Sequence, residues 1–220
     1  MIVSIVVDID DTLIDTKRRL HGVWKSLLDT DVTLEDIEML TLGDIFMRYA
    51  TSEQKKRMGE LRQRFWDLLL CIEERGSELA ELDEPIPDAA RILRNWSEQA
   101  QMVYLTGRPE NTRELTLDQL RRFDFPTENA VLSMYLPEDY SRARGNETGP
   151  TLVEARARLL KQICGEYQVF RVVDDYPGYF TLYREQGIPE RVGLCRSRAY
   201  TPESFLESGA TRVVKGWHEL

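Results

Sequence analysis

Residues 6–13 read VVDIDDTL, an apolar run followed by carboxylates at Asp8, Asp10 and Asp11 and a hydroxyl at Thr12. Carboxylates this close repel one another, and a fold keeps such a cluster only in water or around a cation. Two other polar groups end apolar runs in the same way. Thr106, Gly107 and Arg108 follow MVYL (102–105), and Asp174 and Asp175 follow VFRVV (169–173). A basic stretch, EARARLLKQ (154–162), lies just upstream of the last run and supplies Arg156, Arg158 and Lys161.

These residue types assemble into one chemistry. Asp8, Asp10 and Asp174 suit a hard divalent cation, Mg²⁺ above all, which takes oxygen ligands and lets a phosphate complete its shell. An aspartate beside that ion can attack phosphorus to form an aspartyl-phosphate. A second carboxyl two residues on can protonate the leaving oxygen and then activate water. Thr106 can hydrogen-bond a phosphate oxygen, and an Arg or Lys can balance the charge that develops. Other chemistries find less support. His21 and His218 have no nucleophile to serve, and there is no Walker A loop or GxGxxG fingerprint.

Such a site needs elements that bring distant residues together. Ile2 to Val7 is β-branched and nearly all apolar, as for a strand buried on both faces of a parallel sheet. MVYL (102–105), AVLSM (130–134), VFRVV (169–173), RVGLC (191–195) and TRVV (211–214) repeat the pattern. Helical patterns lie between them. Asp88 is expected to cap one carrying Ala89, Ile92, Leu93 and Trp96; Pro109 to open the first turn of another; Leu152, Leu159, Leu160 and Ile163 to mark a third. This alternation predicts an α/β fold, a Rossmann-like open and mostly parallel sheet with helices on both faces. Ligands of such sheets bind outside the carboxyl ends of the strands, where the polar groups fall.

One segment breaks the alternation. Between Thr16 and Glu84 the sequence carries helical patterns only, with Leu20, Val23, Trp24 and Leu27 on one face and Met58, Leu61, Phe65, Leu68 and Ile72 on another. Thr33 and Thr51 are expected N-caps, Thr51 with Gln54 closing a capping box. EPIP (84–87) ends the segment. The expected organisation is an α/β core, residues 1–15 and 85–220, with an inserted all-α cap, residues 16–84, covering the acidic cluster.

Composition bounds the partners. With 42% hydrophobic and 30% charged residues the 220-residue chain reads as a soluble globular protein, and its net charge of −9 argues against non-specific nucleic-acid binding. Three well-separated cysteines, Cys71, Cys164 and Cys195, read as reduced thiols. No stretch approaches the length of a membrane span, and MIVSIVV is too short for a signal-peptide core, which predicts a cytoplasmic protein.

The motifs resemble those of the haloacid dehalogenase-like (HAD) superfamily, specifically its phosphatases. DIDDTL matches the family's first motif, Asp-x-Asp-x-Thr; VYLTGRP the second, a Thr or Ser ending a strand; VVDDYPG the acidic fourth. The resemblance covers most of the chain outside the helical insert. It implies Asp8 as nucleophile and Mg²⁺ ligand, and Asp10 as general acid/base that binds the metal through its backbone carbonyl. It implies Thr106 as phosphate ligand and Asp174, helped by Asp175, as metal ligand. Thr12, Gly107 and Arg108 are the expected substrate-binding residues, with Thr12 bracing the turn rather than reacting and Arg108 either reaching substrate or forming a salt bridge at a helix start; the helical insert resembles a C1-type cap. The third motif is usually a lysine, sometimes an arginine; Arg156 is favoured by helix position, and Lys161 is the only lysine nearby.

Several expectations are weaker. Lys17, Arg18 and Arg19 either line the cap entrance or form a solvated helix face, the commoner outcome for a charge run. LPEDYSRARGNETGP (136–150) either lies over the site, with Arg142 or Arg144 touching substrate, or is a mobile surface loop. Trp24, Trp66 and Trp96 fit core positions better than any stacking role. The leading function is a Mg²⁺-dependent phosphomonoesterase acting on a small phosphorylated metabolite or nucleotide. The alternatives are a polynucleotide 3′-phosphatase-like enzyme and a non-catalytic HAD-like or receiver-like phosphate-binding module. Dehalogenase and phosphomutase chemistries fit less well.

Overall fold

The computed structural model describes residues 2–28, 30–71, 74–143 and 149–220. Ile72 and Arg144 lie outside the described residues. In chain order, β1 (Ile2–Val7) turns into β2 (Ile14–Asp15), followed by α1 (Lys17–Leu28), α2 (Leu34–Met39), α3 (Leu42–Tyr49), α4 (Ser52–Lys56), α5 (Met58–Leu69) and α6 (Glu74–Ala80). Then come β3 (Glu84–Pro85), α7 (Ala89–Ser97), β4 (Gln101–Pro109), α8 (Arg113–Arg122), β5 (Val131–Tyr135), α9 (Leu152–Glu166), β6 (Tyr167–Asp174), α10 (Phe180–Glu185), β7 (Glu190–Leu194), α11 (Pro202–Ser208) and β8 (Arg212–Val214).

The main sheet has the order β5-β4-β1-β6-β7-β8, and every neighbouring pair is parallel. Successive side chains of a strand point to opposite faces, so an apolar run must find cover on both. Ile5 and Val7 pack with Leu93 of α7 and Leu120 of α8, whereas Val6 packs with Leu160 of α9, Phe180 of α10 and Phe205 of α11. Tyr104 and Val103 divide in the same way. The chain leaves β1 for β4 on one side and later returns to β6 on the other. That reversal opens a crevice beyond the carboxyl end of β1.

The helices α1 to α6 surround a core of their own. Trp24, fully buried, meets Phe46 edge-on with centroids 4.6 Å apart and Phe65 at 4.7 Å. The chain enters and leaves this helical unit through the antiparallel pairing of β2 with β3, Ile14 opposite Pro85 and Asp15 opposite Glu84. Thr33 and Thr51 cap their helices as expected, Thr51 with the expected box through Gln54; Thr33, Thr41 and Thr151 close boxes as well.

Two local expectations need correction. Asp88 precedes α7 at φ 64° and makes no side-chain cap bond; its carboxylate pairs instead with Arg91 at 2.8 Å. Pro109 does not begin a helix but ends β4 in extended conformation, and α8 starts at Arg113 after a short 3₁₀ turn. The three cysteines are free. No helix among the described residues is long and apolar enough to cross a membrane.

Candidate active site

The turn after β1 sets the geometry. Leu13 and Ile14 both donate their amides to the Ile9 carbonyl, at 2.8 and 3.0 Å, folding residues 9–14 into a tight loop. Asp11 takes φ 58°, a conformation that Asp adopts more readily than most residues, and its Oδ1 accepts from both the amide and hydroxyl of Thr16. Thr12 is fully buried; its hydroxyl donates to Asp175 at 3.3 Å while its carbonyl accepts from the Trp217 indole at 2.7 Å. The turn is thus braced from both sides, leaving Asp8 and Asp10 at the mouth of the crevice.

Arg156 binds the two central strands together. Its Nη1 donates to Asp8 Oδ1 at 3.0 Å and to the Leu105 carbonyl at 2.7 Å, Nη2 donates to Asp174, and Nε donates to the Tyr183 hydroxyl at 3.0 Å. Tyr183 in turn donates to Asp174 at 2.5 Å. Among the described residues no hydrogen bond reaches Asp8 Oδ2. The other basic residues of α9 face elsewhere: Arg158 pairs with Asp139 at 2.5 Å and Lys161 is exposed. Of the three basic residues open for the third motif, only Arg156 lies at the acidic cluster, because steps of two and five residues turn Arg158 and Lys161 well away from its face of the helix.

Asp10 belongs to a second network. Its Oδ1 accepts from Arg108 Nη2 and from Arg19 Nη2, both at 2.7 Å, and Arg108 Nε reaches both carboxylate oxygens at 3.1 Å. The same two arginines flank Asp83, between α6 and β3, at 3.3 and 3.6 Å. Gln119 donates to Asp83 at 3.1 Å and accepts from Arg108 at 2.5 Å. Burial opposes the charge on Asp10, but Arg108 and Arg19 outweigh it and hold its carboxyl well below the usual range. For Asp83 burial prevails, with Asp10 adding to it, and its carboxyl is pushed up to about 6. Arg108 therefore adjoins the site with its guanidinium committed to protein partners.

Sequence reasoning undervalued Arg19. It is buried, unlike exposed Arg18, which pairs with Glu84 at 2.7 Å, and half-buried Lys17, which pairs with Glu38 at 2.7 Å. The available signal was its spacing, one helical turn before Val23 on the buried stripe of α1. Asp83 was missed altogether.

Thr106, fully buried in β4 three residues before its end, accepts the Arg108 amide at 3.1 Å, and the strand shifts register between Thr106 and Pro109. Gly107 and Arg108, rather than Thr106 itself, line a cavity of about 270 Å³. Asp8, Asp10 and Arg156 border it on the sheet side, and Leu20, Trp66 and Leu69 on the helical side. Trp66 therefore does more than fill a core. Tyr140 also borders the cavity, so residues 136–140 do not form a loose loop: a 3₁₀ turn at Pro137–Tyr140 is fastened where Asp139 accepts from the Leu136 amide at 2.8 Å and pairs with Arg158. Arg142 is exposed.

The acids carry more negative charge than their neighbours neutralise. Burial, with Asp174 and Asp10 adding to it, keeps Asp8 well above the ordinary value despite Arg156. Burial and the charges of Asp11, Asp8 and Asp174 do the same to Asp175. No three His, Cys, Asp or Glu side chains gather into a ready-made metal cluster among the described residues. Mg²⁺ needs only one or two carboxylates, with water and a substrate phosphate supplying the rest. An all-oxygen donor set with excess negative charge fits that requirement.

No sequence-family model and no curated protein matches the chain. Solved structures do. A haloacid dehalogenase-like family hydrolase from Streptococcus pneumoniae matches with TM-score 0.66 and 14% identity over 99% of this chain and 96% of that one. A HAD family hydrolase from Deinococcus radiodurans R1, solved with bound phosphate and sodium, matches with TM-score 0.60 and 17% identity over 98% and 92%. A hydrolase from Pseudomonas syringae matches with TM-score 0.53 and 19% identity over 97% and 93%. The parallel sheet, the helical insert after its first strand and these likenesses along nearly the whole chain agree: the protein has the haloacid dehalogenase-like hydrolase fold.

Proposed function

We propose that this protein is a Mg²⁺-dependent phosphomonoester hydrolase that works through an aspartyl-phosphate on Asp8, with residues 16–84 as its cap. The observation that carries the reading is the meeting of Asp8 from the end of β1 and Asp174 from the end of β6 on one guanidinium, Arg156, beside a half-open cavity. The phosphate held by the Deinococcus hydrolase of the same fold is consistent with it.

In this reading Asp8, which no hydrogen bond occupies at Oδ2 among the described residues, attacks phosphorus as the ester P–O bond breaks. Arg156 holds Asp8 in line and offsets the charge of the transferring group. Thr106 and the backbone at Gly107 bind phosphate oxygens. Asp8, Asp174 and the Asp10 carbonyl, with Asp175 nearby, would hold Mg²⁺, which would supply Lewis-acid stabilisation of the phosphoryl oxygens. Asp10 delivers a proton to the leaving oxygen, then takes one from the water that cleaves the Asp8–phosphate bond, restoring the free carboxylate. Clamped by Arg19 and Arg108, Asp10 is ionised, the state suited to the second step. The first step requires that it leave the clamp and gain a proton.

The small cavity of about 270 Å³ and the net charge of −9 favour a small ester over a nucleic-acid end. The test is phosphate release from a panel of small phosphate esters with Mg²⁺ or chelator, for wild type, Asp8→Asn and Asp10→Asn. Metal-dependent turnover that falls by about 10³-fold or more in each variant is expected. Asp8→Asn should remain folded, since burial and the neighbouring acids already disfavour the Asp8 charge. Turnover by Asp8→Asn at the wild-type rate, or no turnover of any ester, would sink the reading and leave a non-catalytic phosphate-binding module.

A further inference from the structure

We infer that the substrate's alcohol portion is a small, uncharged hydrocarbon, aryl or branched alkyl, carrying at most one polar group. The inference rests on the phosphatase reading for the placement of the phosphate and on the cavity for the rest. The cavity of about 270 Å³ lies below the roughly 300–1,000 Å³ of sites that take drug-sized ligands. A phosphate at Asp8 leaves space beside it for little more than one ring.

The walls of that space are apolar. Leu20 of α1 and Trp66 and Leu69 of α5 face Leu115, Tyr140 and Leu152. Trp66 and Tyr140 stand 5.8 Å apart between centroids at 47°, and Tyr135 continues the aromatic wall 5.9 Å from Tyr140.

The polar atoms bordering the cavity are nearly all engaged within the protein. Its cations are Arg19 and Arg108, which serve Asp10 and Asp83, and Arg156, which serves Asp8 and Asp174. Thr16 donates to Asp11, Thr112 to the Pro109 carbonyl, and Tyr135 to the Leu152 carbonyl. Thr116 accepts from Arg108 at 3.4 Å. Asp8 Oδ2, Arg19 Nε and the Tyr140 hydroxyl are not hydrogen-bonded among the described residues. Tyr140 is buried as a residue, and its hydroxyl lines the cavity. That hydroxyl lies 3.8 Å from where a Cβ on Gly107 would stand, between the phosphate position and the apolar wall.

A hydroxyl that borders the cavity and makes no hydrogen bond within the protein is available to a ligand atom that can pair with it. The ester oxygen of the substrate, or one polar group close to it, fills that role. A sugar or a nucleoside brings several hydroxyls and amides for which this wall has no free partner, and each one buried unpaired lowers affinity and rate.

The test compares esters of equal intrinsic reactivity, benzyl phosphate and 3-methylbutyl phosphate against glucose 6-phosphate and glycerol 3-phosphate. Hydrolysis is followed as kcat/KM with Mg²⁺. In parallel, binding of benzylphosphonate and glucose 6-phosphate to the full chain is measured by calorimetry. The apolar esters should be favoured by about 100-fold or more, and Trp66→Ala should lower that ratio about tenfold. Benzylphosphonate should bind at least about tenfold more tightly than glucose 6-phosphate. Turnover with the sugar ester equal or preferred would overturn the inference while leaving the phosphatase reading intact. If no ester is hydrolysed but benzylphosphonate binds preferentially, the phosphatase reading fails and the pocket assignment stands. No turnover and no preference in binding would remove both.

Discussion

Asp83 offers the sharpest test of the charge network beneath the site. Asp83→Asn keeps the side chain's shape and removes its charge. The side chain is wholly buried, and Oδ1 sits 3.3 Å from Arg19 Nε without a hydrogen bond. Asp10 takes the shorter contacts of both arginines, at 2.7 Å, so Asp83 receives what remains of them. Its carboxyl is consequently raised from 3.8 to about 6 in the folded protein. A raised folded pKa means that the fold favours the protonated form. The associated stability is fully present below the unfolded pKa, near pH 4, and is lost as pH rises through 6. The difference of roughly 2 pKa units corresponds to about 3 kcal/mol. Asn cannot ionise, so urea denaturation of metal-free protein should find Asp83→Asn gaining about 3 kcal/mol on wild type between pH 4 and pH 8. The competing view is that the ion pairs dominate, since removing one partner of a buried pair costs about 3–5 kcal/mol. It predicts the opposite trend, a variant that loses ground as pH rises. That result, or parallel pH profiles, would refute the reasoning. The two views differ in sign, so the experiment decides between them even if the magnitude is off by half.

Other perturbations test other parts of the structure. Arg156→Met strands the buried carboxylates of Asp8 and Asp174, and at pH 8 without metal it should lose about 3–5 kcal/mol in the same urea assay; a loss under 1 kcal/mol would contradict the bridging role. Gly193→Ala on β7 would place a Cβ 2.5 Å from the ring of buried Phe205, so thermal unfolding should show about 1–3 kcal/mol of destabilisation, whereas an unchanged midpoint would show that α11 can shift to make room.

The fold was largely legible because its signals are local. Ile2–Val7, VFRVV and the other apolar runs are each short, β-branched and bounded by polar residues, and each becomes a strand of the parallel sheet. The N-caps Thr33 and Thr51, and the box that Gln54 closes at Thr51, depend on residues at most three apart and were readable. The errors at Asp88 and Pro109 arose where a local preference met a tertiary demand. Asp88 answers Arg91 instead of the helix end, and Pro109 is drawn into pairing with Tyr135.

The site divides along the same line. From the sequence alone came an acidic turn after β1, a Thr-Gly-Arg after β4, an acidic pair closing β6, and the inference that these share one end of a sheet. Their order along the chain and their position after apolar runs suffice for that, because parallel strands bring their carboxyl ends together. Which charges then meet is settled by contacts between residues far apart in sequence. Arg156 reaches Asp8 across 148 residues and Arg108 reaches Asp10 across 98, while Lys161, the only lysine among the candidates, turns away to solvent. Helical periodicity tells a buried face from an exposed one but not what lies opposite. Arg19 therefore read as one member of a charge run, Asp83 went unnoticed, and Trp66 and Tyr140 gave no sign that they enclose the cavity. Only the packing of the helical insert against the ends of the strands brings those side chains to the acids.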